Sequence, residues 1–183
     1  MEITKTINDS KILRFIVTAF IGTIFLTISA KIKIPFYPVP MTMQTFVVLF
    51  MGIAFGWKIG VTTVLLYLFE GIIGLPVFSG TPEKGLGLIY FTGPTMGYLI
   101  GFLFASFFAG YMNLSTNYLF IFFKLIFSVS LIYILGMLWL GNLIGWDKPI
   151  FKIGAMPFLL AELFKISLLT ILTKVIINLR KFI

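Results

Sequence analysis

Six apolar runs, separated by charged residues, prolines and glycines, dominate the chain. They cover residues 12–31, 41–56, 58–75, 94–113, 118–140 and 156–178. A helix that crosses a bilayer needs about 20 mostly apolar residues, so six helices and their loops leave no room for a further soluble domain. The pattern therefore predicts an all-α integral membrane protein with six transmembrane helices, folded as a single domain over residues 1–183.

The composition supports this fold class and narrows the chemistry. Hydrophobic residues make up 60% of the chain and charged residues 11%, and the mean hydropathy is +1.10, far outside the usual range of soluble domains. The sequence has no cysteine and no histidine, which excludes disulfides, thiolate metal sites and histidine-activated nucleophiles. We therefore expect no metal and no cofactor. No G-x-x-x-x-G-K-[ST] motif is present either, so an ATP-driven cycle would need other chains.

The net charge of +8 is interpreted through the positions of its cations, which predict orientation in the membrane rather than binding to nucleic acid. A cytoplasmic N-terminus places eight cations inside and five outside. The inner set is Lys5, Lys11, Arg14, Lys58, Lys124, Lys174, Arg180 and Lys181, and the outer set is Lys31, Lys33, Lys84, Lys148 and Lys152. We expect both termini in the cytoplasm of a multi-pass cell-membrane protein. The first apolar run carries no clear cleavage signature, so we expect it to be retained.

Three of the predicted helices begin at the outer face with a proline. Their starts read PFYPVPMTMQT (35–45), FTGPTMGY (91–98) and GAMPFLLAELFK (154–165). Three helix N-termini at one face would offer free backbone N–H groups and positive dipole ends to an anionic ligand. Thr42, Gln44, Thr95 and Tyr98 are expected in these first turns as hydrogen-bonding groups. The alternative is that the prolines only start the helices.

Two charged residues interrupt the last apolar run, within FLLAELFKISLL at residues 158–169. Glu162 and Lys165 are expected on one helix face, on the order of 10 Å inside the outer end of the helix. Ionisable residues at this depth usually face a protein interior or a watery cavity, so the pair is a candidate site. The alternative is an ion pair that satisfies itself and holds the helix against its neighbours. Glu70, the other intramembrane acid, could line the same cavity, pair with a cation such as Lys165, or serve packing.

Residues 74–93 are too rich in glycine to span and too apolar for an ordinary solvated loop. A mobile flap over an outward-facing pocket would have this composition. The alternative is a loop that rests on lipid headgroups through Phe78, Tyr90 and Phe91.

Small residues on the first helix predict a close helix–helix contact. They form two overlapping small-xxx-small pairs, Thr18 with Gly22 and Ala19 with Thr23. The pattern indicates that another helix docks here, but it does not identify that helix.

Four stretches together resemble the BioY family, the biotin-specific substrate-binding subunits of energy-coupling factor (ECF) transporters. They are PVPMTMQT, YLFEGIIGLPVFSG, GPTMGYLIGF and PFLLAELFK, in the family's order and spacing. The resemblance implies a six-helix membrane protein that captures biotin at the extracellular side and delivers it inward. It also implies a membrane scaffold subunit and two cytoplasmic ATPases as partners, although some members are thought to act without them. The family docks through an Ala-x-x-x-Ala surface, which here reads Ala19-x-x-x-Thr23.

The same resemblance implies a set of binding residues. The family's acid and lysine in the last helix correspond to Glu162 and Lys165, and the acid is usually Asp. A carboxylate can accept hydrogen bonds from the N–H groups of the ureido ring of biotin, and Lys165 is the buried candidate for its valerate carboxylate. The sequence does not orient the ligand. Further contacts are expected from Gln44, Ser79, Thr95 and Tyr98, and from the rings of Phe78, Tyr90 or Phe91.

Three other functions stay open at this level. The first is a binding subunit for another small anionic vitamin. The second is a membrane enzyme that uses Glu70 and Glu162 as acid and base, although no histidine, cysteine or metal-ligand cluster supports it. The third is an assembly subunit without a ligand.

Overall fold

The structure, a computed structural model, describes residues 2–111 and 117–182, with the side chains of residues 11–111 and 117–181. Its α-helices are α1 (Glu2–Lys31), α2 (Gln44–Phe55), α3 (Trp57–Ile72), α4 (Met96–Tyr111), α5 (Tyr118–Ile144), α6 (Ile150–Gly154) and α7 (Leu159–Ile176). Short 3-10 helices cover Gly87–Thr92, Met156–Phe158 and Ile177–Phe182, and strands β1 (Lys33–Ile34) and β2 (Met41–Thr42) form an antiparallel pair. Each predicted apolar segment therefore contains a helix.

Helix length distinguishes two groups among these segments. Among the described residues, three helical stretches are long and apolar enough to cross a membrane, namely Lys11–Lys31, Tyr118–Ile144 and Ile150–Lys181. The helices α2, α3 and α4 have 12, 16 and 16 residues, and at about 1.5 Å per residue the longer two reach about 24 Å. That is shorter than a hydrocarbon core of about 30 Å. The structure thus describes an all-α membrane protein, and six complete spans stay a prediction.

The helices α2, α4 and α7 begin at the same end of the bundle. Near their starts, Thr45 contacts Glu162, and the Tyr98 hydroxyl donates to the carbonyl of Gly154, just before α7. Near their other ends, Arg180 donates to carbonyls at the ends of α2 and α4. We call the first end the cavity end and the second the opposite end. The predicted convergence of three helix starts is present, although Thr42 lies in β2 and Thr95 precedes α4, outside the helical turns where they were expected.

Glycines bring α4 against α5. A Cβ on Gly101 would lie 2.6 Å from the Ile132 Cα, and a Cβ on Gly97 would lie 2.5 Å from the Trp139 Cβ. Real carbon atoms do not approach so closely, so larger residues here would push the helices apart. The contact fixes the Tyr98 ring at the cavity end, because that ring covers Gly136 of α5.

The small residues of α1 pack within the chain. Ala19 is fully buried and Thr23 is 1% exposed, and a Cβ on Gly22 would lie 2.6 Å from atoms of Met51 and Thr63. The predicted close contact therefore exists, but its partners are α2 and α3. Thr18 stays partly exposed. Thr18 and Gly22 also line an open groove between α1 and α2, and docking of another protein on this face of α1 stays a prediction.

Candidate functional site

A narrow cavity lies among the starts of α2, α4 and α7 at the cavity end. Residues from the β-strand segment, α2, the 74–93 loop, α4, α5 and α7 line it: Val39, Pro40, Met41, Thr42, Gln44, Thr45, Ser79, Tyr90, Thr95, Tyr98, Leu99, Phe102, Ile132, Tyr133, Phe158 and Glu162. Its open volume is about 50 Å³, enough for a few water molecules. Six of the eight predicted binding residues line it, and the exceptions are Phe78 and Lys165.

The Glu162–Lys165 pair forms one wall of this cavity. Both residues are 4% exposed, and the Lys165 Nζ lies 2.8 Å from the Glu162 Oε1. Thr45 of α2 contacts both, since its hydroxyl donates to the Glu162 Oε1 at 2.9 Å and accepts from the Lys165 Nζ at 2.9 Å. The spacing-based prediction that both charges share one helix face is correct. Direct pairing lets the two charges lie together at membrane depth, where a lone charge would be costly.

The ammonium of Lys165 is fully engaged by the protein. Its third bond goes to the carbonyl of Thr42, at 2.7 Å, so each of its N–H groups has an acceptor. The side chain lies behind the cavity, where it lines a separate groove between α7 and the β-strand segment. Its contacts hold Glu162 and Thr45 in position, and a contact between Lys165 and a ligand carboxylate stays a prediction.

Two buried polar atoms of the cavity lining have no hydrogen-bond partner. They are the second carboxylate oxygen of Glu162, Oε2, and the hydroxyl of Ser79. A buried polar group without a partner costs about 1–3 kcal/mol, more if charged. Unpaired polar atoms in a cavity therefore mark places where a ligand can supply the missing partner. The carboxylate oxygen needs a donor, whereas the serine hydroxyl can donate or accept.

Apolar and aromatic side chains form more than half of the lining. Tyr133 and Phe158 stack with ring centroids 6.1 Å apart, and Tyr98 meets the Tyr133 ring edge to face at 6.0 Å. Sequence reasoning missed Tyr133, Ile132 and Phe158. Tyr133 lies within the uniformly apolar run of α5, and only the contact with α4 turns it toward the site.

Side chains from three elements hold the loop beside the cavity at consecutive carbonyls. The Tyr67 hydroxyl donates to the carbonyl of Val77 at 3.0 Å, the Lys31 Nζ donates to that of Phe78 at 3.0 Å, and the Tyr90 hydroxyl donates to that of Ser79 at 2.8 Å. The Lys31 Nζ also contacts the carbonyl and hydroxyl of Thr81. The first part of the loop is therefore tied to α1, to α3 and to the 3-10 helix Gly87–Thr92 at the end of the same loop.

Two of the predicted site residues, Phe78 and Gln44, contact residues that hold this loop. Phe78 stacks on Tyr90 with centroids 4.6 Å apart, so it packs behind the cavity. The Gln44 Nε2 donates to the Tyr67 hydroxyl at 2.8 Å, which links the cavity wall to the loop anchor at Val77. A ligand that moves Gln44 or Tyr90 would therefore act on the loop.

Glu70 is separate from the cavity. Its Oε1 accepts a hydrogen bond from the Thr23 hydroxyl at 2.8 Å, which joins α3 to α1. Lys165 pairs with Glu162 instead, so the alternative in which Glu70 lines the cavity or pairs with Lys165 is wrong. The two intramembrane acids have different partners and no shared site.

This arrangement defines a membrane protein with a small polar cavity at the end of a helical bundle, and comparison with known proteins identifies the family. The model of the BioY family matches residues 3–182. The chain belongs to the BioY family.

The relatives with assigned names are transporters. A probable biotin transporter BioY from Pyrococcus horikoshii is 33% identical over 148 residues, which cover 81% of this chain and 86% of that protein. The biotin transporter BioY of Thermotoga maritima is 32% identical over 155 residues, which cover 84% and 90%. A crystal structure of the S-component for biotin from an ECF-type ABC transporter superposes with a TM-score of 0.75 at 28% identity, over 95% of this chain and 94% of that one.

Proposed function

We propose that this protein binds biotin in the cavity and serves as the substrate-binding subunit of a biotin uptake system. The observation that carries the proposal is the unpaired Oε2 of Glu162, a buried carboxylate oxygen on a residue of the cavity lining that needs a hydrogen-bond donor. The ureido ring of biotin presents N–H donors, and its bicyclic ring suits the apolar lining. The names of the relatives agree with this ligand.

In this proposal the residues around Glu162 have separate roles. Oε2 accepts a ureido N–H, while Lys165 and Thr45 hold Oε1 and fix the carboxylate. The Ser79 hydroxyl supplies a second polar contact. The fused rings pack on the apolar walls formed by Leu99, Ile132 and Phe158. A charged acceptor held in a dry site binds more strongly than the same group in water.

The cavity must widen for biotin to enter. Its open volume of about 50 Å³ is far below the roughly 300–1,000 Å³ of small-molecule sites. The side that can move is the loop of residues 74–93, because Ser79 and Tyr90 line the cavity and residues 74–86 form no helix or strand. We propose that this loop opens to admit the ligand and closes on it.

The proposed transport direction follows from the cation count. It assigns the cavity end to the extracellular side, so that biotin is captured outside and delivered inward. An ATP-driven ECF module of a scaffold membrane subunit and two ATPases is the proposed source of energy. Purification of the tagged protein from its native membrane, followed by identification of co-purified chains, tests for that module.

Binding measured on the purified protein tests the ligand. We expect Glu162→Gln to lower the affinity for biotin by about 10–150-fold, because a hydrogen bond to a charged group contributes about 1.5–3 kcal/mol. Glu70→Gln is the matched control, since it makes the same chemical change in another intramembrane acid outside the cavity. It should change the affinity by less than about threefold.

Three results would contradict the proposal. Failure of the wild-type protein to bind biotin would refute the proposal. A screen of other small anionic vitamins would then test the nearest alternative. Equal losses for Glu162→Gln and Glu70→Gln would indicate a general effect on folding. Full uptake by a charge-reversed Glu162→Lys and Lys165→Glu variant would favour an assembly subunit without a ligand.

A further inference from the structure

A second groove at the cavity end adjoins the proposed biotin cavity. Its lining is Tyr37, Pro38, Lys84, Tyr90, Gly93, Pro94, Thr95, Leu143 and Ile144, and its open volume is about 400 Å³. Tyr90 and Thr95 line both spaces. The two residues therefore form the wall between the cavity and this outer groove. A ligand too long for the cavity would extend past them into the groove.

Lys84 is the charged residue in the described lining of the outer groove. Two contacts within the loop hold Lys84 in place. Its backbone N–H donates to the carbonyl of Gly80 at 2.9 Å. Its alkyl chain lies over Gly80, where a Cβ would be 2.8 Å from the Lys84 Cδ. Gly80 has a φ of +82°, which favours glycine, and it follows Ser79 of the cavity lining. The alkyl chain of Lys84 therefore lies along the loop, and the residue stays exposed at the edge of the outer groove.

The other cations near the cavity are already engaged or lie outside both spaces. Lys165 has three acceptors behind the cavity, and Lys31 binds Phe78 and Thr81. Lys148 pairs with Asp147. No carboxylate of the described residues lies within ion-pair distance of the Lys84 ammonium. Burial lowers the pKa of Lys84, and the nearby Lys33 lowers it further. No negative charge in the described part of the chain offsets these two effects.

We propose that Lys84 binds the carboxylate of the valerate tail, with the ureido ring at Glu162 and the tail passing Tyr90 and Thr95 into the outer groove. This inference rests on the proposed biotin binding and adds an orientation to it. The buried carboxylate of Glu162 would repel a carboxylate at the inner end. A cation at the mouth attracts it, and water remains available there to hydrate it. Lys84 would then select anionic tails over neutral ones.

A comparison of two ligands tests this orientation. Biotinamide keeps the ureido ring and tail but replaces the carboxylate with a neutral amide. Lys84→Met preserves most of the alkyl chain over Gly80 and removes the charge. We expect this variant to bind biotin about five- to tenfold more weakly and to bind biotinamide within about twofold of the wild type. The loss for biotin should shrink at high salt, because a partly exposed ion pair is screened. Lys84→Arg should retain the preference for biotin.

Lys33→Met is the matched control, since it removes a nearby cation that lies outside the groove lining. It should leave the ratio of the two affinities within about twofold of the wild type. An equal loss of both ligands in Lys84→Met, or no loss of either, would overturn the role of Lys84 and leave biotin binding intact. Failure of the wild-type protein to bind either ligand would instead overturn the proposed function, and this orientation with it.

Discussion

The two ends of the bundle differ in how their buried polar groups are hydrogen-bonded. At the opposite end, the guanidinium of Arg180 donates to the carbonyls of Ile53 at 2.8 Å, Gly110 at 3.1 Å and Gly52 at 3.3 Å. These carbonyls belong to the last turns of α2 and α4, where helix carbonyls run out of backbone N–H donors; the carbonyl of Gly52 also accepts from the Gly56 N–H. At the cavity end, the Glu162 Oε2 and the Ser79 Oγ have no partner. Pairing of these helix-end carbonyls with Arg180 stabilises the fold, whereas an unpaired carboxylate oxygen beside a cavity leaves room for a ligand.

Burial without a partner is not by itself a binding site. The hydroxyls of Thr63 and Ser106 are also buried and unpaired. They are neutral groups that do not line the cavity, and the Ser106 Oγ lies against Gly60 of α3. The combination that distinguishes the cavity end is an unpaired charged atom next to open space.

Loss of Lys165 should have the largest effect, because it removes the partner that holds Glu162. We expect Lys165→Met to destabilise the protein by about 3–5 kcal/mol, since it leaves a buried carboxylate without its cation. Biotin affinity should fall by more than about 100-fold. Thermal unfolding in detergent and equilibrium binding measure the two effects.

The double variant Glu162→Gln with Lys165→Met serves as the control for this prediction. Removing both charges should restore much of the stability, because the uncompensated carboxylate is gone, but it should not restore binding. Wild-type affinity in Lys165→Met would show that the pair has no role in recognition.

A substitution at the opposite end should change the stability of the protein but not its affinity for biotin. We expect Arg180→Met to lower the free energy of unfolding by about 1–2 kcal/mol, less than three buried charged hydrogen bonds would contribute, because the side chain is partly exposed. Biotin affinity should stay within about twofold of the wild type. Lys181→Met, at the exposed neighbouring position, is the control and should change neither. A loss of affinity in Arg180→Met as large as its loss of stability would show that the two ends are coupled.

The contrast between the ends also explains what could be predicted from the sequence. Hydrophobic runs predict the helices, and the i,i+3 spacing predicts that Glu162 and Lys165 share a face, because both follow from the geometry of a single helix. The role of Lys165 cannot be predicted from one helix, because it depends on Thr42 and Thr45 from a segment more than 100 residues away. Whether Ala19 and Thr23 face the interior of this protein or a partner likewise depends on which helix is the neighbour. Tyr133 has no local signal, because an aromatic ring in an apolar helix can face lipid or protein equally well.

The smallest effect should come from shortening Glu162 to the residue that is usual in the family. Aspartate is one methylene shorter, so its carboxylate would withdraw from α2 by about 1.5 Å, roughly one carbon–carbon bond. The i,i+3 pair with Lys165 can persist, because both residues lie on the same helix. The hydrogen bond from Thr45, on another helix, is the contact that should lengthen. We expect Glu162→Asp to weaken biotin binding by about two- to threefold.

A double-mutant cycle with Thr45→Val tests the cause of that small loss. If the lost contact is the Thr45 hydroxyl, Thr45→Val should weaken binding in the wild-type background but have little further effect in Glu162→Asp. Independent, additive losses would show that the shorter side chain acts through the ligand itself, by drawing the Oε2 position away from the ureido N–H. The cycle therefore separates the contribution of the Glu162 Oε1, which the protein binds, from that of Oε2, which is left for the ligand.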